Sequence, residues 1–249
     1  MKFSIIIPTY NEEANIEECL QSILSQNYPR NDFEIIVSDG SSSDRTVPIA
    51  QQYADKVVVD SKRGIAHGRN FGAQHASGEI LVFVDCDVNL RNNFLQECST
   101  KFQDKELSGL CGKAMPRDGN FFARFVYYGT YYLVRIFSFF GLPLYPGMCV
   151  AYRRTAFEKV GGFREDLGIS EDIDLSKRIS KIGKCIVHSR AKAFVSTRRL
   201  RKYGLSTVLF HIWNDLKYLF TGNSASVYPK AEELHSWTDL WKHQKGKIR

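Results

Sequence analysis

Residues 78–87 read Gly78-Glu79-Ile80-Leu81-Val82-Phe83-Val84-Asp85-Cys86-Asp87, and the fold class follows from this stretch. The run from Ile80 to Val84 is continuously apolar and rich in β-branched and aromatic side chains. Such a run predicts a strand buried on both faces of a parallel sheet. Ligands of open α/β sheets bind beyond the carboxyl ends of the strands, so we expect Asp85 and Asp87 to meet a polar ligand.

The spacing of the two carboxylates suggests a bound cation. In an extended chain the side chains of Asp85 and Asp87 point the same way, and two like charges held together raise each other's pKa. A divalent cation between them relieves that repulsion. Hard oxygen ligands suit Mg²⁺ or Mn²⁺, and Mg²⁺ commonly completes its shell with substrate phosphates, so a diphosphate ligand is implied. The alternative is that the pair only forms a turn or caps the next helix.

The 249 residues are enough for one sizeable α/β core with a tail. Lysine and arginine number 34 against 27 acidic residues, a net charge of +7, but the excess is local. Residues 1–183 hold 21 basic and 23 acidic side chains, whereas the last 66 residues hold 13 basic and 4 acidic ones. The basic C-terminal quarter predicts an anionic partner there, such as a phosphate or a membrane surface, and argues against a nucleic-acid-binding protein.

The cysteines and the N-terminus bear on the compartment. Six cysteines are scattered without a C-x-x-C pair, which predicts buried free thiols in a reducing environment. The first predicted strand begins at Phe3 and leaves no room for a signal peptide. We therefore expect a cytoplasmic protein.

Strands and helices alternate along residues 1–115, which predicts a parallel, nucleotide-binding half. The first strand is followed by the polar segment Pro8 to Glu13. The second ends at Asp39, where a carboxylate can accept hydrogen bonds from a ribose or a base. The small residues of 64–73 let a helix lie close to the sheet, and Arg69 is the one cation that this helix offers to a phosphate.

An aromatic segment opens the second half of the chain. Residues 120–152 are dense in Phe and Tyr, but Arg124, Arg135 and several Gly and Pro residues interrupt them. The segment therefore lacks the roughly 18 uncharged residues of a membrane-spanning helix. It predicts a helix that packs on the sheet or dips into a membrane interface, and then a strand. Residues 185–187 and 193–195 have the pattern of two edge strands.

A helix with an acidic first turn is predicted over residues 170–179. Ser170 occupies the N-cap position, and Glu171, Asp172 and Asp174 follow it. Acidic residues in a first turn stabilise a helix through its dipole, which is the interpretation we favour for Asp174. Glu171 and Asp172 stand at the very start of the helix, where a carboxylate can also face a cleft.

Six segments, in sequence order, resemble the family-2 glycosyltransferases, which use nucleotide-sugar donors and have the GT-A fold. They are Ile5–Glu13, Val37–Asp44, Gly64–Gly72, Asp85–Asp87, Gly161–Phe163 and Glu171–Leu175. The resemblance implies a GT-A domain over 1–197, with a Rossmann-like, mostly parallel sheet and helices on both faces. Its nucleotide-binding half would be 1–115 and its acceptor half 116–197. A basic amphipathic helical tail would follow over 198–249.

The resemblance also implies roles for the polar residues. Asp85 would face the ribose or the metal, and Asp87 would bind a divalent cation, Mn²⁺ or Mg²⁺, that bridges the diphosphate. Asp172 would be the catalytic base, with Glu171 as the second candidate. The remaining donor-binding residues would be Pro8, Tyr10, Glu12, Asp39 and Arg69.

These roles imply an inverting transfer of one sugar in glycan or glycolipid assembly. A base takes the proton of an acceptor hydroxyl while the cation stabilises the departing diphosphate, whereas a lipid phosphate acceptor needs no base. Processive members of the family carry Q-x-x-R-W after the acidic segment. This chain has Thr197-Arg198-Arg199-Leu200 there, which favours single-sugar transfer. Two other classes remain open: a sugar-phosphate nucleotidyltransferase and a non-catalytic binder of nucleotide sugars.

The tail combines a basic cluster with a one-sided apolar stripe. The cluster consists of Arg198, Arg199, Arg201 and Lys202. The stripe, at helical spacing, consists of Val208, Leu209, Ile212, Leu216, Leu219 and Phe220. One interpretation is an anchor that binds peripherally to the cytoplasmic membrane face and suits a lipid-linked acceptor. The other is a helix that covers the catalytic domain or a homodimer partner, with Arg198 and Arg199 reaching the donor diphosphate.

Overall fold

The structure is a computed structural model that describes residues 1–119 and 121–224. The predicted tail runs to residue 249, and its part beyond residue 224 lies outside the described residues. Within the described part, strands and helices alternate through the first half of the chain, as the sequence predicted.

Among the described residues, eight strands form one sheet. In chain order they are β1 (Phe3–Thr9), β2 (Phe33–Asp39), β3 (Lys56–Val59), β4 (Ile80–Val84), β5 (Val88–Leu90), β6 (Leu107–Pro116), β7 (Cys149–Arg153) and β8 (Lys184–Val195). Their order in the sheet is β3-β2-β1-β4-β7-β6-β8-β5. The pairs among β1 to β4 and the pair β6–β8 are parallel, and the other pairs are antiparallel. The predicted mostly parallel α/β sheet is confirmed.

Helices lie on both faces of this sheet. They are α1 (Ile16–Leu24), α2 (Thr46–Ala50), α3 (Ile65–Gln74), α4 (Phe94–Phe102), α5 (Phe121–Phe139), α6 (Arg154–Lys159), α7 (Glu171–Ser180), α8 (Arg198–Tyr203) and α9 (Leu205–Thr221). Alternate residues of β1 show the two layers. Ile5 and Ile7 belong to the core shared with α1 and α4, and Ile6 belongs to the core shared with α3 and α7.

The order of the strands creates a switch point between β1 and β4. The chain builds from β1 towards β3 and then returns to place β4 on the other side of β1. The crevice at such a point, beyond the carboxyl ends of the strands, is where open α/β sheets bind ligands. The residues that follow β1 and β4 therefore stand at the expected ligand site.

Helix α3 lies very close to the sheet, as its small residues predicted. A Cβ added at Gly72 would stand 2.5 Å from Cγ2 of Ile6, and one at Gly68 would stand 3.2 Å from Cβ of Pro8. Glycine is needed at Gly72 because no side chain fits at that distance. The close approach brings Arg69, on the same helix, to the ends of the central strands.

The six cysteines are free thiols, and five of them are buried, as the sequence predicted. Burial raises the pKa of each thiol, that of Cys185 to about 12. They therefore remain protonated and pack as small apolar side chains.

The prediction of two edge strands at 185–187 and 193–195 is wrong. One continuous strand, β8, runs through both segments and lies inside the sheet between β6 and β5. The polar residues between the segments, such as the exposed Arg190, break the apolar pattern in the sequence. In the structure β8 continues through them, because its pairing with β6 shifts in register after Gly112. The short β5, which the sequence did not indicate, covers the outer side of β8.

Helix α5 packs on the sheet and leaves much of its aromatic surface exposed. Ala123, Tyr131 and Val134 are its buried side chains. Phe121 and Phe139 are 85% and 86% exposed. No helix within the described ranges is long and apolar enough to cross a membrane.

Helix α9 docks on the domain through a face that the sequence did not predict. Its buried side chains include Phe210, Asn214 and Tyr218, which follow one another at intervals of one helical turn. Most of the predicted apolar stripe points outwards, with exposures from 44% to 86%: Leu209, Ile212, Leu216 and Phe220. Of the two interpretations of the tail, a helix that covers the catalytic domain matches the structure, although the covering face is not the apolar stripe, and the membrane anchor stays a prediction.

Candidate functional site

Three neighbouring parallel strands end in polar residues at one edge of the sheet. β1 is followed by Tyr10 and Glu12, β2 ends at Asp39, and β4 is followed by Asp85 and Asp87. Because these strands are adjacent and run in the same direction, their carboxyl ends meet. The family resemblance implied this grouping, and the structure places the residues at the same end of adjacent strands.

The predicted extended geometry of Asp85 and Asp87 is wrong. β4 ends at Val84, and the residues after it form a tight turn in which the Val88 amide donates to the Asp85 carbonyl over 3.0 Å. The turn leads directly into β5. The two carboxylates still sense each other: burial and, next, the charge of Asp85 raise the pKa of Asp87.

Arg69 is the centre of the first charge cluster. Its side chain is 2% exposed, and its guanidinium donates to Asp85 Oδ1 over 2.8 Å and to Glu171 Oε1 over 2.7 Å. It also lies 5.2 Å from the ring centre of Phe163. Gly147 also packs against the guanidinium, where an added Cβ would stand 2.7 Å from Nη2. Arg69, which the sequence offered as a phosphate ligand, therefore links the end of β4 to the start of α7 in this structure.

Glu171 and Asp172 lie beside this arginine at the N-terminus of α7. Glu171 is buried, whereas Asp172 is partly exposed and accepts hydrogen bonds from the amides of Gly147 (2.5 Å) and Ile173 (2.8 Å). Burial and the charge of Asp172 raise the pKa of Glu171, against the effect of Arg69. Burial also raises the pKa of Asp172, and Arg69 again opposes the rise. Both carboxyls therefore hold a proton more readily than free ones do.

The second charge cluster is built around Arg198 at the start of α8. Its guanidinium forms two hydrogen bonds to Glu12, of 2.9 and 2.5 Å, and its Nε lies 3.3 Å from Asp87 Oδ2. The positive charges of Arg199 and Arg198 lower the pKa of Asp87 against the effects of burial and Asp85. The predicted donor-binding residues Glu12, Arg198 and Arg199 are therefore grouped with Asp87.

The other predicted donor-binding residues, Asp39, Pro8 and Tyr10, differ in their burial and in their contacts. Asp39 is buried, and its carboxylate accepts hydrogen bonds from the Thr9 hydroxyl and from the amide and hydroxyl of Ser42. Pro8 packs beneath α3. Tyr10 is exposed, with the guanidinium of Arg63 4.2 Å from its ring centre. In this structure Asp39 shapes the turn after β2, and the exposed ring of Tyr10 stacks with Arg63.

The carboxylates of Asp85 and Asp87 suit a hard divalent cation whose coordination shell would be completed by phosphate oxygens and water. Within residues 1–119 and 121–224, no three His, Cys, Asp or Glu side chains converge in a way that could hold a metal ion. Two carboxylates, Asp85 and Asp87, are present, and Mg²⁺ is usually bound by one or two carboxylates together with substrate phosphates and water. A cation at this pair would also relieve the repulsion that raises the pKa of Asp87.

Sequence reasoning missed two residues of the site. The Gly147 amide holds Asp172, and the Arg63 guanidinium stacks on Tyr10. The Pro146-Gly147 pair marks a turn, but nothing in the local pattern shows which distant side chain that turn approaches.

Comparison with known proteins places the chain among glycosyltransferases. The family model described as Glycosyl transferase family 2 matches residues 4–161. O-antigen chain rhamnosyltransferase WbaN of Salmonella anatum is 32% identical, over 73% of this chain and 61% of its own length. Poly(ribitol-phosphate) beta-N-acetylglucosaminyltransferase TarS of Staphylococcus aureus is 31% identical, over 47% of this chain and 23% of its own. The chain thus spans less than two thirds of the length of these relatives.

Solved structures show the same architecture. The mannosyltransferase PcManGT from Pyrobaculum calidifontis, in complex with GDP-Man and Mn²⁺, has a TM-score of 0.72 at 25% identity, over 90% of this chain and 66% of that one. S. aureus TarS 1-349 has a TM-score of 0.66 at 21% identity, over 98% of this chain and 81% of that one. These likenesses confirm the predicted fold class.

Proposed function

This chain belongs to glycosyl transferase family 2, and on that premise we propose that it transfers a single sugar from a nucleotide diphosphate sugar to an acceptor hydroxyl or lipid phosphate, in glycan or glycolipid assembly. The proposal rests on the two ion pairs that Arg69 forms at the switch point. Arg69 joins Asp85, next to the proposed metal ligand Asp87, to Glu171, next to the proposed base Asp172. The residues proposed for the donor side and for the acceptor side are therefore joined through one arginine, which supports the proposal.

On the donor side, Asp87 and Asp85 would hold a divalent cation, Mn²⁺ or Mg²⁺. The cation, when bound, supplies Lewis-acid stabilisation of the charge that develops on the departing diphosphate. Arg198 is 37% exposed and stands beside Asp87, so it can turn from Glu12 to a phosphate oxygen. Arg199 adds positive charge at the same place.

On the acceptor side, Asp172 would act as the general base. Its raised pKa suits that role, because a base accepts a proton best when its pKa approaches the working pH. The amides of Gly147 and Ile173 fix the orientation of its carboxylate. Asp172 takes the proton of the acceptor hydroxyl, and the hydroxyl oxygen attacks the anomeric carbon opposite the departing diphosphate, which inverts that carbon.

Replacement of the base tests this proposal. We expect Asp172→Asn to keep the affinity for the nucleotide sugar and to lower kcat by about 10² to 10⁴, the usual contribution of a general base. The assay is release of free nucleoside diphosphate when an acceptor is added, a dependence that a non-catalytic binder or a nucleotidyltransferase would not show. The control is Asp166→Asn, at an exposed carboxylate paired with Arg164.

The outcomes separate the candidate roles. Loss of donor affinity in step with kcat would place Asp172 in the donor site and contradict its role as base. Near-normal turnover in Asp172→Asn together with a large loss in Glu171→Gln would make Glu171 the base instead. Near-normal turnover in both variants would indicate a phosphate acceptor, which needs no base.

Replacement of the proposed metal ligand is the second test. We expect the thermal stabilisation of the wild type by Mn²⁺ and a nucleotide sugar together to disappear in Asp87→Asn, because one of two carboxylate ligands is lost. A panel of nucleotide sugars in a thermal-shift assay also identifies the donor. The control is Asp104→Asn, at an exposed carboxylate paired with Lys184. Equal donor affinity in Asp87→Asn, or in the wild type with a chelator, would refute the metal assignment.

We also propose that the exposed face of α5 lies on an anionic membrane surface, where a lipid-linked acceptor would be presented. Large apolar side chains cover this face: Phe121, Phe125, Tyr132, Leu133, Ile136 and Phe139. The helix carries Arg124 and Arg135, and no acidic residue occurs between Asp118 and Glu158. Apolar area with flanking positive charge is the pattern of an interfacial helix.

Sedimentation with vesicles that contain anionic lipid tests the membrane proposal. We expect the full chain to bind at low salt and to bind less at high salt, because screening weakens the attraction of Arg124 and Arg135 to the lipid. Phe121→Ser combined with Phe139→Ser should abolish binding, and Val59→Ser, at an exposed apolar side chain of β3, is the control. A chain that ignores vesicles, or that buries this face in a homodimer, would contradict the proposal.

A further inference from the structure

Helix α9 makes polar contacts with the segment that carries the two candidate catalytic carboxylates. The Ser170 hydroxyl donates to Asp215 Oδ1 over 2.7 Å, and the Tyr218 hydroxyl donates to Asp174 Oδ1 over 2.7 Å. One turn beyond the helix, the Ser224 hydroxyl donates to the Ile169 carbonyl. The three contacts therefore hold residues 169–174 on both sides of Glu171 and Asp172.

Ser170 is the residue whose conformation sets the start of α7. Its φ is 65°, in the left-handed region that non-glycine residues rarely adopt, so surrounding contacts must hold it there. Ser170 is the N-cap residue of α7, as the sequence predicted, but its side chain makes no capping hydrogen bond. The hydroxyl is bonded to Asp215 instead. The direction in which α7 begins is thus tied to α9.

The two carboxylates that accept these hydrogen bonds belong to different helices, Asp215 to α9 and Asp174 to α7. Asp174 is buried and also forms an ion pair of 2.6 Å with Arg178, so Tyr218 binds a carboxylate that is already fixed. Asp215 lies near the site itself, since its partner Ser170 directly precedes Glu171. Burial and then the charge of Asp172 raise the pKa of Asp215 to about 7, against the effect of Ser170. Leu167, Ile173 and Tyr218 pack together beside these bonds.

We propose that Asp215 and Tyr218 are positioning residues for the transfer: they hold the turn at Ser170 and the first turn of α7 so that Asp172 and Glu171 face the acceptor. This inference rests on the proposed function. Both residues act through α7, because their hydrogen bonds are made to Ser170 and Asp174. Misplacement of a catalytic group by about 1 Å can cost about 10²-fold in rate, so three contacts on this segment are enough to matter.

The test compares four variants in the full chain. Asp215→Ala removes the acceptor of the Ser170 bond, Asp215→Asn keeps an oxygen that accepts it, and Tyr218→Phe removes only the bond to Asp174. Lys217→Ala, at an exposed residue of the same helix, is the control. The measurements are kcat for transfer, affinity for the nucleotide sugar, and amide hydrogen exchange of residues 169–176.

We expect Asp215→Ala to lower kcat by about 10- to 100-fold with unchanged donor affinity, and to speed exchange of residues 169–176. Asp215→Asn should restore most of both, and Tyr218→Phe should show a smaller effect of the same kind. A kcat of Asp215→Ala equal to that of the wild type would overturn the proposal. So would a parallel loss of donor affinity, or a failure of Asp215→Asn to rescue.

Hydrogen exchange separates this inference from the proposed function. A wild-type chain that performs no transfer would contradict the proposed function alone, and exchange would still test whether α9 holds the start of α7. Unchanged exchange of residues 169–176 in Asp215→Ala would then overturn the positioning role. If Asp215→Ala does not fold, the same two readouts in Tyr218→Phe decide the outcome, and wild-type values in both would overturn it.

Discussion

A single buried cation, Arg69, holds the candidate site together. Burial disfavours its charge, while Asp85 and Glu171 outweigh burial and raise the pKa of the guanidinium. A buried charge is tolerated only with well-placed partners, and removal of one partner leaves the others uncompensated. The arginine comes from α3, Asp85 from the end of β4, and Glu171 from α7, so three elements depend on the same ion group. The close contact of α3 with β1 through Gly72 is what places the guanidinium there.

The site continues outwards from this centre in two directions. Towards the donor, the turn after Asp85 carries Asp87, where Arg198 and Glu12 form the second charge cluster. Towards the acceptor, Asp172 follows Glu171 and is oriented by backbone amides. Helix α9 contacts the start of α7 through hydrogen bonds to Ser170 and Asp174. Most of the apolar stripe of α9 points outwards. The two sides are electrostatically joined, because burial raises the pKa of both Asp87 and Asp172 and the charge of Asp85 adds to the rise in each.

Local patterns were sufficient to predict the central elements. The continuous apolar run predicted β4 with its bounds, and the resemblance to a known family assigned the polar residues after β1, β2 and β4 to one donor site. Contacts between distant residues were not predictable in this way: Arg69 and Glu171 are 102 positions apart, and no periodicity links them. The face of α9 that contacts the domain was not predictable for a related reason. A helix with an apolar stripe has the same pattern whether the stripe is buried or exposed, and here buried Asn214 and Tyr218 make the contact face polar.

The free energy of unfolding of Arg69→Met, compared with that of Arg201→Met, tests most directly whether this buried arginine holds the site together. Arg201 forms an ion pair with Asp118 at the surface, 64% and 35% exposed, so it is a matched control for a charge that water already compensates. Chemical denaturation should show a loss of about 3 to 5 kcal/mol for Arg69→Met, because Asp85 and Glu171 are left without their cation. The loss for Arg201→Met should be about 0 to 1 kcal/mol. Equal, small losses in the two variants would contradict the account.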